Sequence, residues 1–152
     1  MPPDPYRPID AEARTVAAQL LRRPHCALAT LRDGAPLVTR AACLHVPGSG
    51  MTLLLSDLSD HAKGLAADAR CSVLLGEAGA KGDPLTHPRL TLSGRAVRAD
   101  KDALRPAWRA GRPKTRLYYD FADFRIWRLD VDEALLNAGF GKAYRFGPGD
   151  LP

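Results

Sequence analysis

Residues 53–65, LLLSDLSDHAKGL, run from leucines into the hydroxyls Ser56 and Ser59, the acids Asp57 and Asp60, His61 and Lys63. An apolar strand ending in such a cluster reads as a strand-to-helix junction. The free amides and positive dipole end of a helix start favour an anion. Ser56, His61 and Lys63 would add a hydroxyl and two basic groups, the chemistry that holds a phosphate. The same residues serve equally as an ordinary helix cap, with Asp57 or Ser59 capping, Lys63 solvated and His61 a bystander. Both readings stand at this point.

Other arrangements carry less. Cys43 and His45 point to one side of a strand, but no second ligand pair is spaced to complete a metal site, and Cys43 reads as core. AGFGKA (138–143) lacks the hydroxyl that a phosphate-binding loop places after its lysine, and PGSGM (47–51) is not a serine-hydrolase elbow. His25 and His87 read as single surface histidines. The loop GDPLTHPRL is read equally as a rigid surface connection or as the border of a pocket.

These groups must be positioned by a chain of 152 residues, a length that makes one domain. Its composition, 45% hydrophobic and 26% charged, is that of a globular protein. No apolar run is long enough for a membrane helix and no signal-peptide pattern opens the chain, which points to the cytoplasm and to no membrane partner. Three cysteines cannot all pair, so buried thiols are expected. The net charge of +5 is spread from Arg7 to Arg145 without a nucleic-acid-binding motif, so no nucleic acid is expected and a small anion is the better match.

Asp10 precedes a helical pattern of Ala13, Val16, Ala17, Leu20 and Leu21 that Pro24 stops. Asp33-Gly34 sits between two strand-like segments over 25–46, the signature of a tight hairpin. MTLLLS (51–56) gives a third strand, a short helix spans about Ser59 to Asp68, and CSVLLGE (71–77) gives a fourth strand. RLTLSGRAVRA (89–99) alternates as a fifth strand with a bulge at Gly94. Asp100 caps a helix that Pro106 interrupts, DFRIWRLDV (123–131) is a sixth strand, and ALLNAGFGKAYRF holds a short helix or turn before a final extended piece. Strands dominate and do not alternate with long helices, so the fold class is mainly β: an antiparallel β-barrel with peripheral helices. Open edges and bulky residues on both faces of FRIWRL call for a partner, with Trp127 and Trp108 as candidate interface aromatics, core packing explaining Trp127 equally well, and a homodimer as the expected assembly.

In order, ALATLRDGAPLVTRAA, LLLSDLSDHAKGLAADARCSVLL, GDPLTHPRLTLSGRA and DFRIWRLDVDEALLNAGFGKAYRF resemble the pyridoxamine 5′-phosphate oxidase-related FMN-binding split β-barrels, and most of all their haem-utilisation branch. The resemblance covers about residues 11–146 of a single domain over 1–152. It implies a split barrel of six or more strands, a homodimer with ligand sites at its interface, FMN as cofactor, and oxidoreductase activity on a small molecule. By position it assigns Thr39, Arg40 and Ala41 to the flavin and its phosphate, Ser56, His61 and Lys63 to the phosphate, and Arg89 to the flavin of the partner subunit. The family's arginine is replaced at Thr39, its usual lysine at His61 and its frequent asparagine at Gly64. No substrate-phosphate residues match those of the oxidases, and no catalytic residue is assigned, as flavin chemistry often needs none. The alternative is haem, whose family ligand is a C-terminal histidine. The last histidine here is His87, which favours FMN; a flavin-binding module without turnover is the third reading.

Overall fold

The structure, a computed structural model, describes residues 1–152. Eight strands, β1 (Tyr6–Arg7), β2 (His25–Arg32), β3 (Ala35–Val46), β4 (Gly50–Ser56), β5 (Arg70–Leu75), β6 (Arg89–Arg98), β7 (Phe124–Asn137) and β8 (Ala143–Phe146), are joined by helices α1 (Ala11–Leu21), α2 (Asp60–Ala67) and α3 (Lys101–Gly111). The sheet runs β1-β8-β7-β4-β3-β2-β5-β6 and closes through β6 and β7 into an antiparallel barrel, from which β8 and β1 branch off. Fold class and barrel agree with expectation. No helix is long and apolar enough to cross a membrane.

Local chemistry sets the register. Asp33 and Gly34 have φ of 52° and 79°, so a two-residue turn pairs Arg32 with Ala35 and sets Ala27 opposite Arg40. One face of this hairpin therefore carries Cys26, Leu28, Ala41 and Cys43 into the core, and the other carries His25, Ala27, Val38 and Arg40 outward. Asp10 caps α1 by accepting from the Ala13 amide at 2.7 Å, and Ala13, Ala17, Leu20 and Leu21 join the barrel core. The bulge falls between Ser93 and Gly94, where a side chain is impossible: a Cβ on Gly94 would lie 1.9 Å from the Asp130 carbonyl. α3 is fastened outside the barrel by Trp108, which is fully buried with Leu54, Tyr119 and Ile126 and donates from Nε1 to Thr52 Oγ1 at 3.1 Å.

Three expectations are corrected, and one strand is new. The sixth strand does not end at Val131 but continues through ALLN to Asn137, because β6 offers pairing partners through Leu90↔Leu136 while Ala134 and Leu136 alternate into the core; the expected turn follows at 139–141 and the final extended piece is β8. That ladder overrides the helix preference of Ala and Leu. Pro106 does not interrupt α3: it removes one bond, but the Asp100 cap and the Trp108 anchor hold the helix on either side. Trp108, expected as an interface aromatic, is 0% exposed within one chain, and Trp127, 4% exposed, takes the core alternative. β1 was not anticipated; it pairs in parallel with β8, while Glu12 accepts from Lys142 and the Asp150 carbonyl accepts from Arg14, so the first and last segments clasp.

Candidate functional site

Ser59 caps α2, accepting from the Ala62 amide and donating to the Ser56 carbonyl at 2.6 Å. Asp57 does not cap; it lies 3.3 Å from Arg98 and 3.1 Å from Arg125. α2 sits tightly on β2, since a Cβ on Gly64 would stand 2.7 Å from the Leu31 carbonyl. This approach brings His61 over β3, where its Nδ1 shares a 2.7 Å hydrogen bond with Thr39 Oγ1. Burial lowers the His61 pKa, against a smaller opposing effect of Asp60, so the ring is held towards its neutral form.

The remaining assigned residues separate. The Ser56 hydroxyl donates to Asp123 Oδ2 at 2.5 Å and accepts from the Leu58 amide, so a carboxylate already occupies the expected phosphate donor. Asp60 is paired with Arg32 at 3.1 Å. Lys63 is exposed on α2 and free of ion pairs. Ala41 is buried inside the barrel. Arg40 points out of the opposite face of β3 from Thr39. Arg89 lies beside Tyr6 and Asn137 and donates to the Leu85 carbonyl at 2.9 Å. Thr39 and His61 are thus brought together, while Ser56, Arg40, Lys63 and Arg89 share no hydrogen bond or ion pair with them within one chain.

A different group does converge. On the outer face of β2, β3 and β5 a cleft of about 620 Å³ is lined by Arg23, His25, Ala27, Val38, Arg40, Leu74 and Glu77 among others. Its volume is within the ordinary range for small-molecule sites. Ala27 pairs with both Arg40 and Leu74, so these three form one row across the strands. Val38 and Leu74 are 67% and 41% exposed, an apolar floor open to solvent. Around it, Glu77 Oε1 stands 3.7 Å from His25 Nε2 and 4.0 Å from Arg40. The backbone leading into the cleft is strapped by Arg112, whose guanidinium donates to the carbonyls of Cys43 (2.8 Å), Arg23 (3.0 Å) and Arg22 (3.3 Å). His25, Arg23 and Glu77 were missed by sequence reasoning. The hairpin turn was the signal that could have found His25: once Asp33-Gly34 fixes the register, His25 and Arg40 must share the outward face.

A family model described as pyridoxamine 5′-phosphate oxidase matches residues 13–138. The chain belongs to the pyridoxamine 5′-phosphate oxidase family. Within it, the chain is similar to the chloroplastic non-canonical heme oxygenase HOZ of Arabidopsis thaliana, with 34% identity over 104 residues that cover 65% of this chain and 30% of that protein. A heme binding protein from Mycobacterium smegmatis superposes with a TM-score of 0.79 at 33% identity, over 93% of this chain and 59% of that one. ChuZ of Campylobacter jejuni has a TM-score of 0.83 at 17% identity, over 96% and 63%, and shows the fold. The chain spans less than two thirds of the length of each of these three relatives.

Proposed function

We propose that this member of the pyridoxamine 5′-phosphate oxidase family is a haem-binding barrel that works as a homodimer. The observation that carries the reading is the outward cleft: an apolar floor of Ala27, Val38 and Leu74, rimmed by Arg23, His25 and Arg40. Such a lining suits a flat apolar macrocycle that carries two carboxylates, with the floor meeting the ring and the arginines meeting its acids. The names of relatives at 33% and 34% identity, a heme binding protein and a heme oxygenase, support it. Bound haem would supply iron-centred redox and oxygen chemistry. The chain's own residues bind and orient: the guanidinium groups compensate charge, and the β2–β3 ladder keeps the floor rigid. The exposed Val38 and Leu74 lie on the face that a second copy would cover, which would exclude water from the cleft.

FMN is the second reading. Lys63, unpaired on a helix that begins beside Ser56, favours it, and Thr39 and His61 adjoin the same helix start. It has less support because the Ser56 hydroxyl is held by Asp123. An FMN-dependent oxidoreductase acting on a small molecule is the activity that would follow.

Parallel titrations decide between them. Haemin and FMN are each added to the protein and followed by absorbance and by quenching of Trp108 and Trp127. The expected result is saturable haemin binding with a shifted Soret band and no saturable FMN binding. Saturable FMN binding alone, weakened by Lys63→Ala, establishes the flavin reading and overturns the haem one.

A further inference from the structure

We propose that His25 is the iron ligand of a haem seated in the cleft between β2, β3 and β5, with Arg23 and Arg40 receiving its carboxylates; this rests on the haem reading above. Four histidines compete for the role. His87 is spent on structure: Nδ1 accepts from the Gly79 amide at 2.9 Å, Nε2 lies 2.8 Å from the Lys81 carbonyl, and the ring packs so closely that a Cβ on Gly79 would be 2.6 Å from Cε1. With both ring nitrogens engaged, it has no lone pair to offer a metal. His61 has Nε2 free, but it is not among the residues lining the cleft; it stands behind Thr39, which is, and shares its Nδ1 with that hydroxyl. His45 lines a separate cavity of about 520 Å³ with Met51, Leu129 and Leu151.

His25 alone combines the three properties that a haem ligand needs. It lines the cleft with apolar floor and basic rim. Its side chain is 40% exposed, and Glu77 Oε1 at 3.7 Å from Nε2 is too distant for a hydrogen bond, so both ring nitrogens are available. Its backbone is fixed, because Pro24 restricts the approach, Ala42 pairs with it across the hairpin, and Arg112 bonds the two carbonyls just before Pro24. A ligand on a rigid element is held in direction as well as in reach. The charges around the ring are Arg23, Arg40 and Glu77; the first two match the acids of the macrocycle, and Glu77 is 70% exposed and can turn to water when they do.

The test uses the wild-type chain and the variants His25→Ala, His45→Ala and His61→Ala, each checked for native circular dichroism. Haemin binding is followed by absorbance and electron paramagnetic resonance, and iron-free protoporphyrin IX binding by fluorescence. His25→Ala is expected to lose the imidazole-ligated spectrum and roughly ten-fold or more of its haemin affinity. Its porphyrin affinity should stay unchanged, and free imidazole should restore the spectrum. His45→Ala and His61→Ala should match wild type. Retention of imidazole ligation by His25→Ala, or its loss in either other variant, overturns the assignment while leaving the haem reading intact. A wild-type chain that binds neither haemin nor porphyrin overturns the haem reading and the assignment together.

Discussion

Replacing Arg112 with Ala removes the strap that ties the end of α3 to the β2–β3 hairpin. Besides the adjacent Gly111 carbonyl, three carbonyls across the strap lose a donor, and they differ in weight. The bond to Cys43 is partly buried and short, at 2.8 Å, so it contributes the full amount for a charged donor, about 1.5–3 kcal/mol. The bonds to Arg23 and Arg22 are exposed, at 3.0 and 3.3 Å, and water replaces much of what they give, so together they add about 1 kcal/mol. The guanidinium itself is partly desolvated, which lowers its pKa and offsets some of that gain. The expected loss is about 2–4 kcal/mol, or roughly 5–15 °C in Tm for a chain of this size. Guanidinium unfolding followed by tryptophan fluorescence measures it. Arg112→Lys keeps the charge but cannot reach three carbonyls at once, so it should recover less than half of the loss. A loss below about 1 kcal/mol in Arg112→Ala, or a lysine variant as stable as wild type, would refute the strap.

Three further outcomes are expected. Gly94→Ala forces a Cβ against the Asp130 carbonyl and should destabilise by about 3 kcal/mol or more; a neutral change in Tm contradicts the bulge geometry. Burial lowers the pKa of both His45 and His61, so the unfolded chain takes up more protons as the pH falls through its ordinary histidine range near about 6.5. Stability is complete above that range and declines below it, and the urea midpoint should drop between about pH 7.5 and about pH 5.5, less steeply in His61→Gln; a midpoint that rises on acidification sinks the assignment. Val38→Glu with Leu74→Glu puts two charges on the exposed floor and should convert a dimer to a folded monomer by sedimentation, whereas a wild-type monomer at micromolar concentration would remove the reason for the interface.

What the sequence made legible was local chemistry. Asp10 and Ser59 as caps, Asp33-Gly34 as a turn and Gly94 as a bulge each depend on a residue whose own geometry demands that conformation. The far half of β7 and the strand β1 were not legible, because their conformation comes from partners remote in the chain: Leu136 is extended because Leu90 is beside it. Position within the family assigned Thr39 and His61 to one ligand, and in the structure the two side chains share a hydrogen bond. It could not show that Asp123, far along the chain, would hold Ser56, nor that Arg40, next to Thr39, would face away from it. The alternation of a strand separates neighbours that a motif lists together.

The clasp between the chain's two end segments also bears on self-association. A strand at the rim of a sheet offers unpaired amides to any other chain, and β8 would be such a rim had β1 not covered it. β1 is a poor template in its turn: it is two residues long and sits between Pro5 and Pro8, neither of which has an amide to donate. Growth by edge-to-edge addition therefore stops at Tyr6 and Arg7. A chain trimmed past Arg7 should keep its barrel and lose this guard, with aggregation on storage as the visible sign.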